Sequence, residues 1–169
     1  EFAALALHMV ENAFLNGEID ATGVANAERY TAVKDMEGIK IFTSMYPSNS
    51  LLMLNSGNEI LADIKVRQAI FEGIDRSVLA NIRFNGLDYT EPAPGSFTLF
   101  ATQPGYEDNF SKAVTFDPEA AKSTLEEAGW TEGSDGIREK DGQKLSLRYV
   151  LLGDSPVTQA IAVALQESL

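Results

Sequence analysis

Apolar residues recur at helical spacing over the first segment. Phe2, Leu5, Ala6, Met9, Val10, Ala13 and Phe14 form one broad stripe, which predicts a helix stopped by Asn16-Gly17. Ile19 to Val24 reads as a short strand. Asn26 is placed to cap a second helix through about Met36, with Tyr30, Val33 and Met36 on one side, and Gly38 ends it. Ile39 to Thr43 then alternates as a strand. Strand, helix and strand with short joints predict a βαβ unit with a right-handed crossover and a locally parallel sheet.

Tyr46-Pro47-Ser48-Asn49 reads as a turn, and Leu51 to Leu54 is a continuous apolar run that suits a strand covered on both faces. Asp63 opens a helix carrying Val66, Ala69, Ile70 and Ile74. Asp75 opens another carrying Val78, Leu79 and Ile82, which Asn85-Gly86 terminates. Residues 88 to 115 show no period and are punctuated by Pro92, Pro94, Gly95, Pro104 and Gly105. A loop of that length is usually functional or packed across a surface, and Phe97, Phe100, Tyr106 and Phe110 argue against free disorder. Asp117-Pro118-Glu119 is a strong helix start, closed at Gly129. Ile137 to Lys140 and Gln143 to Leu152 flank Asp141-Gly142, a hairpin signal. Ser155-Pro156 starts a last helix with Val157, Ile161, Ala164 and Leu165 inward.

The composition narrows the partners. Against 13 Lys and Arg stand 25 Asp and Glu, a net charge of −12, which argues against nucleic acid and against anionic lipid. There is no Cys, hence no disulfide, thiolate metal site or Cys nucleophile. The longest apolar run, Phe2 to Leu7 and on to Val10, is far short of a membrane span. The chain begins at Glu1 with no Met and no basic lead-in, which suits an internal piece of a longer protein. At 169 residues it is one domain or part of one.

Reactive constellations are few. His8, the single histidine, with Glu11 three residues on, reads as a helix-surface residue, and one histidine must serve any triad. No G-x-S-x-G elbow, P-loop or G-x-G-x-x-G fingerprint occurs. Around Ser134-Asp135-Gly136 an EF-hand alignment leaves only Asp135 as a carboxylate ligand, so the segment reads as a turn. Trp130, just past Gly129, should pack back on its own helix, and Glu126-Glu127 is a solvated face. In open α/β sheets ligands gather beyond the carboxyl ends of strands. Tyr46, Asn49 and Asn55 border the Leu51–Leu54 run and supply neutral phenol and amide groups that suit an extended ligand.

The order of motifs is informative beyond each motif. Leu51-Leu52-Met53-Leu54-Asn55, then Ile64-Lys65-Val66-Arg67-Gln68-Ala69-Ile70, Gly73-Ile74-Asp75-Arg76 and Asn85-Gly86 resembles the extracytoplasmic solute-binding proteins of peptide ABC transporters, including the oligopeptide, dipeptide and nickel types. The likeness continues through Phe116-Asp117-Pro118-Glu119-Ala120-Ala121-Lys122, Leu125-Glu126-Glu127-Ala128-Gly129-Trp130, Asp135-Gly136-Ile137-Arg138-Glu139 and Asp141-Gly142-Gln143-Lys144-Leu145, and begins at Asn16-Gly17-Glu18-Ile19-Asp20-Ala21.

The resemblance implies an α/β fold, a mixed sheet flanked by helices, forming part of the second lobe of a two-lobe periplasmic-binding-protein-like architecture. It implies that residues 1–169 are a single-domain fragment, with 1–50 a lobe-crossing βαβ segment and 51–169 the first half of the second lobe. The implied role is capture of a peptide between lobes that close by a hinge, then delivery to ABC permease subunits, with no enzyme activity and no cofactor. The implied location is extracytoplasmic, either periplasmic or membrane-anchored on the cell surface as a lipoprotein. Position at strand ends and in the irregular aromatic loop nominates Tyr46, Ser48, Asn49, Met53, Pro94 and Phe97 as ligand contacts. The family's acidic residue for the peptide amino terminus is expected past Leu169. The loop of residues 91–115 departs from the commonest family spacing. Other readings are a ligand-sensing regulatory domain of the same fold, a binder of nickel complexes, haem or sugars, and a hydrolase. Residues 1–169 alone are expected to bind ligand weakly or not at all, and self-association through exposed sheet edge or apolar surface is a further expectation.

Overall fold

The computed structural model describes residues 7–24, 26–43, 48–87 and 89–169. The chain divides into two compact units, one drawn from Glu1–Tyr46 with Phe84–Glu91, the other from Pro47–Arg83 with Pro92–Leu169.

The first unit carries helices α1 (Leu7–Leu15) and α2 (Ala27–Val33). Asn26 caps α2 as its position predicts, its side chain accepting from the Arg29 N–H at 2.9 Å. Arg29 in turn pairs with Glu11 of α1 at 3.3 Å, and Ala13 of α1 and Val33 of α2 are buried. Phe84 and Tyr89 stack with centroids 4.1 Å apart around the turn at Gly86. That turn requires glycine twice over, because φ is +80° and a Cβ would lie 2.8 Å from the Ala27 Cβ. The expected βαβ unit is not formed among the described residues. Neither Ile19–Val24 nor Ile39–Thr43 pairs with a strand, and Ile41 and Phe42 are exposed. An alternating run states which face is apolar, but a strand exists only when a neighbour completes its hydrogen-bond ladder.

The second unit holds α3 (Ile64–Glu72), α4 (Arg76–Arg83), α5 (Phe110–Ala113), α6 (Pro118–Glu127), β1 (Thr131–Glu132), β2 (Arg138–Lys140), β3 (Gln143–Lys144) and α7 (Pro156–Ser168). Its core gathers Ile60, Leu61, Val66, Ile70, Ile74, Ala128, Trp130 and Leu165, with Leu52, Leu54, Leu79, Leu125, Leu145 and Ile161 packed against them. Helix α3 packs on α6, and α4 on α7. Capping follows the sequence: Asp63 accepts from the Lys65 N–H, Asp117 from the Glu119 and Ala120 N–H groups, and Ser155 from the Thr158 N–H. Asp117→Ala should cost about 1 kcal/mol, read as a lower urea midpoint at unchanged slope. Between α3 and α6, the buried Glu72 carboxylate accepts from Gln68 Nε2 at 2.7 Å and Thr124 Oγ1 at 3.0 Å, while its carbonyl accepts from the Asp117 N–H at 2.9 Å. Every acceptor it buries therefore has a donor, and the two helices are locked in register.

Helix α6 ends in a Schellman motif: the Gly129 N–H donates to Glu126 O and the Trp130 N–H to Leu125 O, both at 2.9 Å, with Gly129 at φ +88°. The hairpin forms on the two residues expected for it. Asp141 and Gly142 have φ of +54° and +78°, a type I′ pattern, and Lys140 pairs with Gln143 across the turn. The sheet is β1-β2-β3 and wholly antiparallel among the described residues. The second strand of the hairpin, expected to reach Leu152, stops at Lys144, and Val150 and Leu152 beyond it are exposed. Leu51–Leu54 is likewise unpaired and is covered on one face only, with Leu52 and Leu54 inward and Leu51 and Met53 outward.

Asp75 opens α4, accepting from the Ser77 N–H at 2.8 Å and the Ser77 hydroxyl at 2.7 Å. The hydroxyl bond, more than the opposing desolvation, holds its carboxyl below the ordinary carboxylate range. A carboxyl depressed on folding stabilises fully above its unfolded pKa of about 3.9, and that contribution is lost as pH falls through the lower folded value. Urea midpoints of Asp75→Asn and the unaltered protein should therefore converge as pH falls from 6 to 3. A constant gap would show that Asp75 contributes nothing through its charge.

Candidate functional site

The aperiodic aromatic stretch is a built structure whose supports come from the helices on either side of it. Arg76, the first residue of α4, donates from Nη1 to the Pro94 carbonyl at 2.6 Å. Its guanidinium also lies over the Phe110 ring, 4.0 Å from the centroid. Phe110 meets Phe71 of α3 edge-on, at 5.8 Å and 89°. Gly95 is buried at the centre of the stretch. Its N–H donates to Tyr106 Oη at 3.1 Å, and its carbonyl accepts from the Asn109 and Phe110 N–H groups, both at 2.9 Å. Asp108 accepts from the Ser111 N–H at 2.9 Å, and that bond, first among several, holds its carboxyl below the ordinary range. Further along, Ser96 Oγ accepts from the Thr98 and Leu99 N–H groups and Gln103 Oε1 from the Phe100 N–H.

This bracing presents Phe97 with 76% of its surface exposed, flanked by an exposed Pro94. On the Leu51–Leu54 run, Met53 is 85% exposed. Ser48 is exposed and Asn49 half-buried. Ser48, Asn49, Met53, Pro94 and Phe97 thus lie in one compact unit, but no hydrogen bond among the described residues joins the first three to the last two. Tyr46 lies outside the described residues.

The chemistry on offer is recognition: an amide, a hydroxyl, a thioether and a phenyl ring held at the surface. Among the described residues no three His, Asp or Glu side chains group to hold a metal. Asp135, the one carboxylate of the tested calcium alignment, pairs with Lys144 and accepts from the Ile137 N–H. A depression of about 200 Å³ in the other unit is lined by Val10, Glu11, Thr22, Val24, Arg29 and Val33. It is below the usual size of a small-molecule site, and its cation is already paired with Glu11.

The residues that brace the loop, Arg76, Gly95, Tyr106 and Asp108, were not candidates from sequence. Arg76 did carry a signal. A cation in the first turn of a helix faces the positive end of the dipole, which marks Arg76 as gaining nothing from its own helix but names no partner for it.

Residues 9–169 match the family model described as bacterial extracellular solute-binding proteins, family 5 Middle. The oligopeptide-binding protein OppA of Mycobacterium tuberculosis is 39% identical over 159 residues, which is 93% of this chain and 26% of OppA. Among solved structures, AppA of Bacillus subtilis in complex with a nonapeptide superposes with a TM-score of 0.68 at 28% identity, over 96% of this chain and 32% of that one. NikZ of Campylobacter jejuni in complex with Ni(L-His) gives 0.69 at 25% identity, over 95% of this chain and 31% of that one. The chain spans about a quarter of the length of the curated relatives it matches first. Among the described residues no helix is long and apolar enough to cross a membrane.

Proposed function

The chain belongs to the family 5 bacterial extracellular solute-binding proteins, and from that premise we propose that it is the part of a peptide-binding protein that supplies one wall of the ligand cleft. In this reading residues 1–50 cross between lobes and residues 51–169 form the first half of the second lobe. The protein captures a peptide by closing two lobes on it and hands it to ABC permease subunits at the membrane. Closure is driven by the peptide's higher affinity for the closed state. The protein works outside the cytoplasm, needs no cofactor and breaks no bond. Tyr46, Ser48, Asn49, Met53, Pro94 and Phe97 are the contacts this wall supplies. The observation that carries the reading is the 39% identity to an oligopeptide-binding protein over 93% of the chain. The exposed Phe97 on a braced stretch of backbone supports it from the geometry, because a backbone already held in place loses little entropy on meeting a ligand.

Titration calorimetry of the full-length protein with a pool of random nonapeptides tests this. Binding is expected, with Tyr46→Ala/Asn49→Ala and Phe97→Ala each weakening it about tenfold, the worth of one or two good contacts. Unchanged affinity in these variants removes the contact assignment. No peptide binding, with saturable uptake of nickel–histidine instead, replaces peptide by metal complex as the cargo, the alternative that NikZ favours.

A further inference from the structure

We infer that Arg76 is a positioning residue for the ligand wall: its guanidinium sets the Pro94–Phe97 segment by gripping the Pro94 carbonyl and the Phe110 ring together. The inference rests on the reading of Pro94 and Phe97 as peptide contacts, and goes beyond it by assigning a residue that acts through that segment.

Four observations converge on it. Arg76 stands at the first position of α4, where a cation meets the positive end of the helix dipole and gains nothing from the helix. Its side chain reaches eighteen residues along the chain to the Pro94 carbonyl at 2.6 Å, a short, charge-assisted bond. The same planar group covers Phe110 at 4.0 Å, and Phe110 is itself wedged edge-on against Phe71 of α3. Finally, the Phe110 and Asn109 N–H groups both donate to the Gly95 carbonyl, one residue past the gripped Pro94. One guanidinium thus holds both ends of the closed loop of residues 94–110. A lysine ammonium would supply the charge without the delocalised guanidinium that lies over the ring.

Hydrogen exchange in the full-length protein tests the positioning directly. Arg76→Ala should speed exchange of the Asn109 and Phe110 amides about tenfold, as expected for losing a hydrogen bond to a charged donor. Amides of α6 should keep their rates. Arg76→Lys should fall between the two. The nonapeptide pool should bind Arg76→Ala about tenfold more weakly and Arg76→Lys at an intermediate level, in the same order as the exchange rates. Unchanged exchange at Asn109 and Phe110, or equal acceleration throughout α6, overturns the inference. So does full peptide affinity in Arg76→Ala. If the unaltered protein binds no peptide, the functional reading falls, and the exchange data alone decide whether Arg76 positions the loop.

Discussion

Trp130→Ala should lower the stability of the protein by about 3–5 kcal/mol, the range for removing a large aromatic from a packed core. Trp130 is only 4% exposed and lies in the core cluster with Val66, Ile70, Ala128 and Leu165. It also occupies the residue after the helix-ending glycine, where its N–H closes the Schellman motif on Leu125 O. The alanine variant keeps that backbone bond, so the loss reports burial and the cavity left behind. Arg138, which donates to the Trp130 carbonyl at 2.8 Å, ties the same residue to the hairpin. Equilibrium urea unfolding checks the value. A change within about 0.5 kcal/mol, the size expected of surface substitutions, would mean that the core does not centre on this side chain.

Gly95→Ala should be the second most damaging change, at about 1–3 kcal/mol for forcing atoms into a filled space. A Cβ at Gly95 would stand 2.3 Å from Asp108 Cγ and 2.7 Å from Asp108 Cβ. The latter is fixed by the backbone, so a rotamer change does not relieve the clash. Moving Asp108 also breaks its bond to the Ser111 N–H at the start of α5. The double variant Gly95→Ala/Asp108→Gly removes the clashing atoms, so it should be no less stable than Asp108→Gly alone. Such non-additivity is what a direct contact produces. Additive losses in urea unfolding would place the two residues apart and dissolve the braced loop.

The two predictions differ in how far they were legible beforehand. That Trp130 packs back after Gly129 follows from the order of the residues, because the motif closes within six positions. That Gly95 faces Asp108 follows from nothing local. Glycine among prolines marks a loop, but which side chain fills the space above it depends on how the twelve intervening residues turn back. The same division runs through the site. Phe97 and Pro94 were legible as an aromatic and a proline in an aperiodic stretch, whereas their common support from Arg76 was not. The side pattern of Leu51–Leu54 also misled. Four apolar residues in a row look the same whether one face or both are covered, and here the Met53 face is open.

The sequence by itself determined the helix starts at Asn26, Asp63, Asp75, Asp117 and Ser155, the type I′ turn at Asp141-Gly142, the Schellman closure at Gly129 and the family to which the ordered motifs point. Each of the local signals among them is satisfied by partners two to five residues away, so neighbouring residue types are enough to encode it. Only the tertiary structure decided which apolar runs are paired, which face of Leu51–Leu54 enters the core, and that Arg76 holds the aromatic loop. Those depend on groups brought together from distant parts of the chain, and neither a strand's missing neighbour nor a carbonyl's distant donor leaves a mark in the residues beside it.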